Sequence, residues 1–383
     1  VLRVTTLRSG AGGVANLLRY YGGLADDRAR GGMARGPVDY YLDPDEPPGR
    51  WWGEGRGAVG LTGEVEPEQL ENMLQALHPG TGQRVGRGFG ERSARGFDAT
   101  FSAPKSVSLL WALSPDPWVR AEVLAAHDTA VEAALGWFAG HGAHTRRGTD
   151  GVHQIDTRGV VAGLFRQHTS RTMDPQLHTH AVVWSKVQDP TGKWLALDAR
   201  FLKRQQRSIG WIYDAALRTE LTARLGVDWD PIEPGAGQTD VVGVPAWLRD
   251  RFSERAEQVA VKLGDLVHRW MDEHDGADPD ARSLYVLERR AVLASRPGKE
   301  HGIDAAELHR GWRDRAAEAG FDPNRLPAGQ RHLAGTAGWD AEEVIETAID
   351  RVADQASTWL RADLAREIAT LVPADGAETA ADL

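Results

Sequence analysis

His178 and His180 stand two apart in the stretch "DPQLHTH" (174–180), directly before the apolar run Ala181, Val182, Val183, Trp184. On a strand, residues two apart point to one face. The pair therefore presents two imidazoles side by side, as adjacent corners of a metal site would, although a polar strand face fits the same spacing. Thr179 is flanked by apolar Leu177 and Ala181, so the histidines are not simply the wet half of an amphipathic strand. Further polar donors, Gln167 and His168, lie just upstream in "FRQHTSR" (165–171). The chain has no cysteine, so any metal must be held by imidazole, carboxylate or amide oxygen.

Three other groups of residues could do chemistry. Of six tyrosines, four form two adjacent pairs, Tyr20-Tyr21 and Tyr40-Tyr41. A phenol can act as a nucleophile once a base or a positive field assists it, although aromatics near the start of a domain also serve as core. In "FDATFSAPKSVSL", Asp98 sits on a short strand and Lys105 at a helix start; a helix N-terminus with lysine beside it suits an anion such as phosphate. No G-x-x-x-x-G-K-[ST] loop occurs, so an ATP signature is absent. In "RFLKRQQR", Arg200, Lys203, Arg204 and Arg207 fall at helical spacing, which predicts one basic face, either solvated or bound to phosphates. Trp51-Trp52 could stack on bases, but with 14 tryptophans in the chain a core role is favoured.

These residues need a scaffold. At 383 residues, two domains or one large domain with an appendage are expected. Nothing approaches the roughly 18 apolar residues of a membrane span, and the start lacks a signal-peptide core. Val1 is compatible with removal of an initiator methionine. The net charge of −10 argues against nucleic acid only on average. Residues 1–220 carry 26 Lys+Arg against 24 Asp+Glu, while 221–383 carry 19 against 31, so the acidic excess lies away from the histidines. Strands are predicted over 1–8 and 97–102, within 152–170 and 177–187, and over 192–198. Helices are predicted over 14–21, 104–113 and 117–139, with Gly/Arg-rich loops at 22–37 and 80–96. From Arg200 the pattern is mostly helical, with a last helix over roughly 340–371 and a linker-like tail, "PADGAETAADL". Strands and helices mix without β-α-β alternation, which predicts an α+β fold with an antiparallel sheet.

Together, "TFSAPKSVS", "TSR…DPQLHTHAVV" and the tyrosine pairs resemble the conjugative relaxases of the MobF (TraI/TrwC-like) class, members of the HUH endonuclease superfamily. The resemblance covers residues 1 to about 325. It implies a five-stranded antiparallel palm flanked by helices over 1–225, a helical fingers region over 226–325, and a helical extension and linker over 326–383. It implies nicking of single-stranded DNA at a transfer origin, with a divalent metal (Mg²⁺, Mn²⁺ or Zn²⁺). Tyr20 matches the nucleophile that becomes a 5′-phosphotyrosine, with Tyr21 its neighbour. Tyr40, with Tyr41, matches the pair that acts in strand transfer. Asp98 matches the residue that orients a histidine ligand, and His178 and His180 match two metal ligands. Lys105 and Arg171 are candidates for phosphate contacts. Relaxosome accessory proteins and a type IV secretion coupling protein are the implied partners of a monomer working in the donor-cell cytoplasm and travelling with the strand. Relaxases of this class often carry a helicase after the nicking domain.

Two departures matter. The family's third histidine lies two residues before "TSR", where this chain has Gln167, with His168 one residue later. These two face opposite ways on a regular strand. The ungapped match favours Gln167; imidazole is the better ligand, and a bulge could turn His168 inward, which tips the expectation slightly to His168. An amide oxygen would suit Mg²⁺ or Mn²⁺ better than softer ions. The tyrosine pairs also lie further apart than is usual. Two readings stand beside the relaxase: a phosphodiesterase using metal-activated water, and a non-catalytic origin-binding module.

Overall fold

The computed structural model describes residues 1–8, 47–233, 236–295, 305–327, 339–377 and 379–382. The segments expected as a helix at 14–21 and a loop at 22–37 lie outside them. In chain order the strands are β1 (Leu2–Arg8), β2 (Arg50–Trp52), β3 (Ala94–Ser102), β4 (His144–Arg147), β5 (His153–Asp156), β6 (Ala162–Thr169), β7 (Pro175–Trp184), β8 (Lys186–Gln188) and β9 (Trp194–Ala196). The helices are α1 (Pro67–Leu74), α2 (Lys105–Leu113), α3 (Pro117–Gly142), α4 (Arg200–Arg204), α5 (Gln206–Leu225), α6 (Ala246–Arg251), α7 (Glu254–Glu273), α8 (Ala281–Ala294), α9 (Ala305–Glu318), α10 (Ala341–Gln355) and α11 (Arg361–Leu371).

Five strands form one sheet in the order β1-β3-β7-β6-β2, every pair antiparallel. This is the α+β palm that the sequence implied. β7 lies at its centre, and alternation along it decides what each face carries. Leu177, Ala181 and Val183 turn toward α2, α3 and α5, and join one core with Phe101, Leu109, Phe138 and Leu217. Val182 and Trp184 turn the other way, to a second core with Trp51, Leu70, Met73 and Phe165. Trp51 is thus a core residue, as its context favoured. The run "AVVW" is apolar at every position because both faces are covered there. Toward the start of β7 the second face changes character: Val182 and Trp184 give way to His180 and His178. Fully burying a Leu or Phe side chain stabilises by roughly 1.5–3 kcal/mol. A slip of one residue would drive both imidazoles into the apolar helical layer and expose Leu177, so the register is strongly held.

The helical region sits at the polar end of the sheet. α9 docks it there. Trp312 packs edge-on to Trp111 of α2, and its indole N–H donates to the Met173 carbonyl at 2.9 Å. His309 Nδ1 donates to the Ala112 carbonyl at 2.8 Å. Arg315 meets the buried Asp174 at 2.5 Å and lies over the Phe252 ring. Asp174 also accepts from the Glu254 backbone N–H, at the start of α7, at 2.9 Å. The turn between β6 and β7 is therefore the seam between sheet and helices.

Two expectations are corrected. The single helix predicted over 340–371 is two, α10 and α11, with a break between Gln355 and Arg361. The tail predicted as a linker is docked. Val372 and Ala380 are buried, and the Ala380 N–H donates to Glu220 of α5 at 2.8 Å. Arg218 of α5 also donates to the Ala369 carbonyl. The tail's apolar content is low, but a few small side chains and backbone hydrogen bonds against a buried helix suffice to seat it. Among the described residues, no helix is long and apolar enough to cross a membrane.

Candidate active site

Three strands bring the polar residues together. Across the β3–β7 ladder, Ser102 pairs with His178 and Thr100 with His180. On the other side, Gln167 of β6 pairs with His178 and Phe165 with His180. Directly paired residues share a face, so Asp98, Thr100, His178, His180 and Gln167 form one patch. The two imidazole centroids are 5.2 Å apart with planes at 72°.

Each ring is held in one tautomer. His178 Nδ1 donates to the Gln176 carbonyl at 2.8 Å. His180 Nδ1 lies 2.9 and 3.0 Å from the two oxygens of Asp98, a carboxylate only 3% exposed. Thr100 Oγ1 donates to the same carboxylate at 3.2 Å. With both protons on Nδ1, both lone pairs are on Nε2. A carbonyl or carboxylate behind a histidine, fixing tautomer and direction, is the arrangement that metal-binding imidazoles use.

The third position is separated by the fold. Gln167 is buried opposite His178, on the patch. His168 faces the helical layer, where its ring stacks on Trp111 with centroids 4.7 Å apart and planes at 18°. The pairing does shift between Gln167 and Thr169, but the additional residue is in β7, so alternation along β6 persists. The slight preference for His168 was therefore misplaced: the bulge falls on the other strand. Among the described residues no group of three or more His, Asp or Glu could hold a metal. Gln167, His178 and His180 therefore share one face of the sheet, and His168 lies on the other.

Gln167 and His178, at one end of this patch, line a cleft of about 720 Å³ between the sheet and the helical region. Ser102, Lys105, Gln167, Arg171 and His178 line one wall, and Arg255, Leu263 and Val292 the other. Lys105 and Arg171, candidates from position alone, thus lie with the histidines. Lys105 Nζ donates to the Pro175 carbonyl at 2.8 Å. Burial pulls its pKa down to about 8, with Arg315 acting in the same sense and Asp174 opposing. Arg255, which sequence reasoning missed, is lowered by burial and then by Arg171. Its guanidinium donates to the Val292 and Ser295 carbonyls. Lys105, Arg171 and Arg255 outnumber the lining carboxylates Asp174 and Glu288, and Asp174 is already held by Arg315, so the cleft keeps a positive balance in a chain of net charge −10. No local signal marks Arg255, which arrives on α7; Thr100 could have been found, two residues after Asp98 on the same strand face.

The basic series does not share a face. α4 ends and α5 begins at Gln205, and within α4 itself Lys203 already diverges from Arg200 and Arg204. Arg200 and Arg204 line a different cavity, Lys203 lies over the Phe97 ring and Arg207 over the Trp211 ring. None lines the histidine cleft. Tyr20, Tyr21, Tyr40 and Tyr41 lie outside the described residues. Behind the patch, Thr179 continues into the helical layer, where His127 bridges it to Tyr213 by bonds of 2.8 and 2.9 Å. Burial holds His127 well below the usual imidazole range.

The antiparallel sheet, the imidazole pair on its central strand and the cationic cleft above it define a relaxase-type palm. The TrwC relaxase family model matches residues 15–319. The chain belongs to the TrwC relaxase family. It is 30% identical over 349 residues to the multifunctional conjugation protein TraI of Escherichia coli, a match spanning 85% of this chain and 18% of TraI. The chain thus matches about a fifth of the length of that relative. Among solved structures, it resembles the conjugative relaxase TrwC in complex with oriT DNA in a metal-bound form, with TM-score 0.64 and 31% identity, covering 84% of this chain and all of that one. The metal-free TrwC–oriT complex is similar at TM-score 0.63 and 30% identity, with the same coverage.

Proposed function

We propose that this chain is the nicking unit of a conjugative relaxase. It cuts one strand at an origin of transfer by tyrosine transesterification and later rejoins it. The observation that carries the reading is the His178–His180 pair, each ring fixed from behind, with His178 lining a cationic cleft. Membership of the TrwC relaxase family and likeness to TrwC bound to oriT DNA support the substrate class.

Tyr20 is the proposed nucleophile, on its match to the family's first tyrosine pair. Its phenol oxygen bonds to the scissile phosphorus, the bond to the 3′ oxygen breaks, and the 5′ phosphate stays on tyrosine. One phosphodiester replaces another, so the step reverses without ATP. Gln167, His178 and His180 would hold a divalent ion, whose Lewis acidity, when bound, offsets charge on the non-bridging oxygens of the phosphate. An amide oxygen in place of a third imidazole favours Mg²⁺ or Mn²⁺. Asp98 keeps His180 in its tautomer. Lys105, Arg171 and Arg255 supply the positive lining for the strand. Relaxosome accessory proteins, a secretion coupling protein and the donor-cell cytoplasm complete the proposed setting.

The test is covalent capture. Single-stranded origin DNA with a divalent metal should yield an adduct stable in SDS, absent in Tyr20→Phe. An adduct that survives Tyr20→Phe combined with Tyr21→Phe would overturn the nucleophile. Cleavage without any adduct would favour water as the attacking group.

A further inference from the structure

A second cavity of about 510 Å³ lies where α11 meets α3, α4 and β4, and it shares no lining residue with the histidine cleft. Four arginines line it: Arg146, Arg200, Arg204 and Arg361. Asp198 is the one carboxylate among the described lining residues, and it is already shared. Arg200 grips it through Nε at 2.8 Å and Nη2 at 2.7 Å, and Arg146 through Nε at 2.7 Å. Arg204 and Arg361 are exposed and make no hydrogen bond or ion pair with any described residue. They face the cavity from opposite sides, one from α4 and one from the start of α11.

The cavity also has an aromatic shelf. Trp137 stacks on His141 with centroids 5.1 Å apart and meets Phe201 at 5.8 Å. Phe201 is drawn in because Gly142 ends α3: a Cβ there would stand 2.1 Å from the Phe201 ring. The close contact seats α4 against α3 and turns Arg200 and Arg204 to one side. Uncompensated guanidinium beside a half-buried aromatic surface is the chemistry of a nucleic-acid strand, phosphates on the arginines and a base on the ring. α11 lies beyond residue 319, where the family match ends. Its wall is therefore an addition to the matched palm.

We infer that this cavity is a second strand-binding site, built jointly by the palm and the docked C-terminal helices, which holds single-stranded DNA away from the nick. The inference rests on the reading of the chain as a relaxase, and extends it to a contact outside the histidine cleft. A strand held at two separated points keeps its loose end close to the cleft during the interval when one end is covalently bound.

The experiment titrates a fluorescein-labelled oligothymidylate with the intact chain, following anisotropy from low to physiological salt. Arg204→Glu combined with Arg361→Glu should weaken binding about tenfold and flatten the plot of log K against log salt by about 1.4, at roughly 0.7 per phosphate contact on a single strand. Arg204→Lys combined with Arg361→Lys should keep the slope. Affinity and slope unchanged in the glutamate variant, while the wild-type chain still forms its covalent adduct, would overturn the second site and leave the relaxase reading standing. Inorganic phosphate bound by the wild-type chain, with DNA affinity untouched by the glutamate pair, would instead make the cavity a small-anion site and also overturn it. A wild-type chain that forms no adduct and binds no strand would remove the relaxase reading and this inference together.

Discussion

Asp98 reaches His180 diagonally across the β3–β7 ladder. It pairs in register with Val182, two residues further along, yet its two oxygens lie 2.9 and 3.0 Å from His180 Nδ1. The diagonal puts the buried carboxylate on Nδ1 and leaves Nε2 as the ring's free lone pair. Asp98→Asn keeps the shape but removes the charge that holds the proton on Nδ1. We expect metal affinity to fall about 10–100-fold, measured by titration calorimetry with Mn²⁺, with little change in the melting curve. Unaltered affinity would reduce Asp98 to a packing role.

Gln167, as the proposed third donor, predicts the metal's preference. Gln167→His should raise the ratio of Zn²⁺ to Mn²⁺ affinity by about tenfold or more, since a third imidazole favours the softer ion. His168→Ala should leave that ratio alone and destabilise by about 1 kcal/mol through the lost stack on Trp111. Competition calorimetry reads the first, a denaturant melt the second. If His168→Ala abolishes metal binding and Gln167→Ala does not, the placement of the third donor fails.

Lys105 gives the cleft a pH dependence. Its pKa is pulled from 10.5 to about 8, so its charge fades as pH rises through that value. Strand affinity should therefore fall between about pH 7 and 9, and Lys105→Gln should weaken binding at pH 7 and flatten the profile. Stability runs the opposite way. Between about 8 and 10.5 the unfolded chain binds more protons than the folded one, so this residue's contribution to stability rises with pH there.

The seam at Asp174 is a buried charge held by Arg315, and Arg315→Met leaves that charge without its cation. A loss of about 2–4 kcal/mol is expected, less than for a fully buried pair because Arg315 is 30% exposed. Asp174→Asn combined with Arg315→Met should be milder than Arg315→Met alone. A chemical melt of the three variants decides, and additive losses would show that the two side chains act independently.

The palm was legible because β7 writes both of its faces into the sequence: an apolar run where both sides are covered, alternating histidines where one side opens. Asp98 and Lys105 were legible from their strand and helix start. The rest was hidden by distance along the chain. Arg315 meets Asp174 from 141 residues away, and nothing near either marks the pair. Arg200, Lys203, Arg204 and Arg207 misled because spacing does not show what each side chain packs on: Lys203 lies over Phe97 and Arg207 over Trp211, while Arg200 and Arg204 line a cavity. The choice between Gln167 and His168 turned on which strand carries the extra residue, which spacing along one strand cannot reveal. The tail looked like linker because its docking depends on Glu220 and the groove beside α5, not on its own composition.

The ladder that builds the site also sets when it appears during synthesis. Asp98 and His180 are 82 residues apart, and β1 closes on β3 across a still longer span. Such non-local pairings form late, because long loops must close before any contact compensates. β7 is the central strand, so the β1–β3 and β2–β6 pairs are not joined to one another until the chain has emerged past Trp184. A ribosome-bound fragment that already contains Tyr20 and Asp98 therefore holds no assembled imidazole pair. The imidazole pair is withheld from the nascent chain until the central strand is complete.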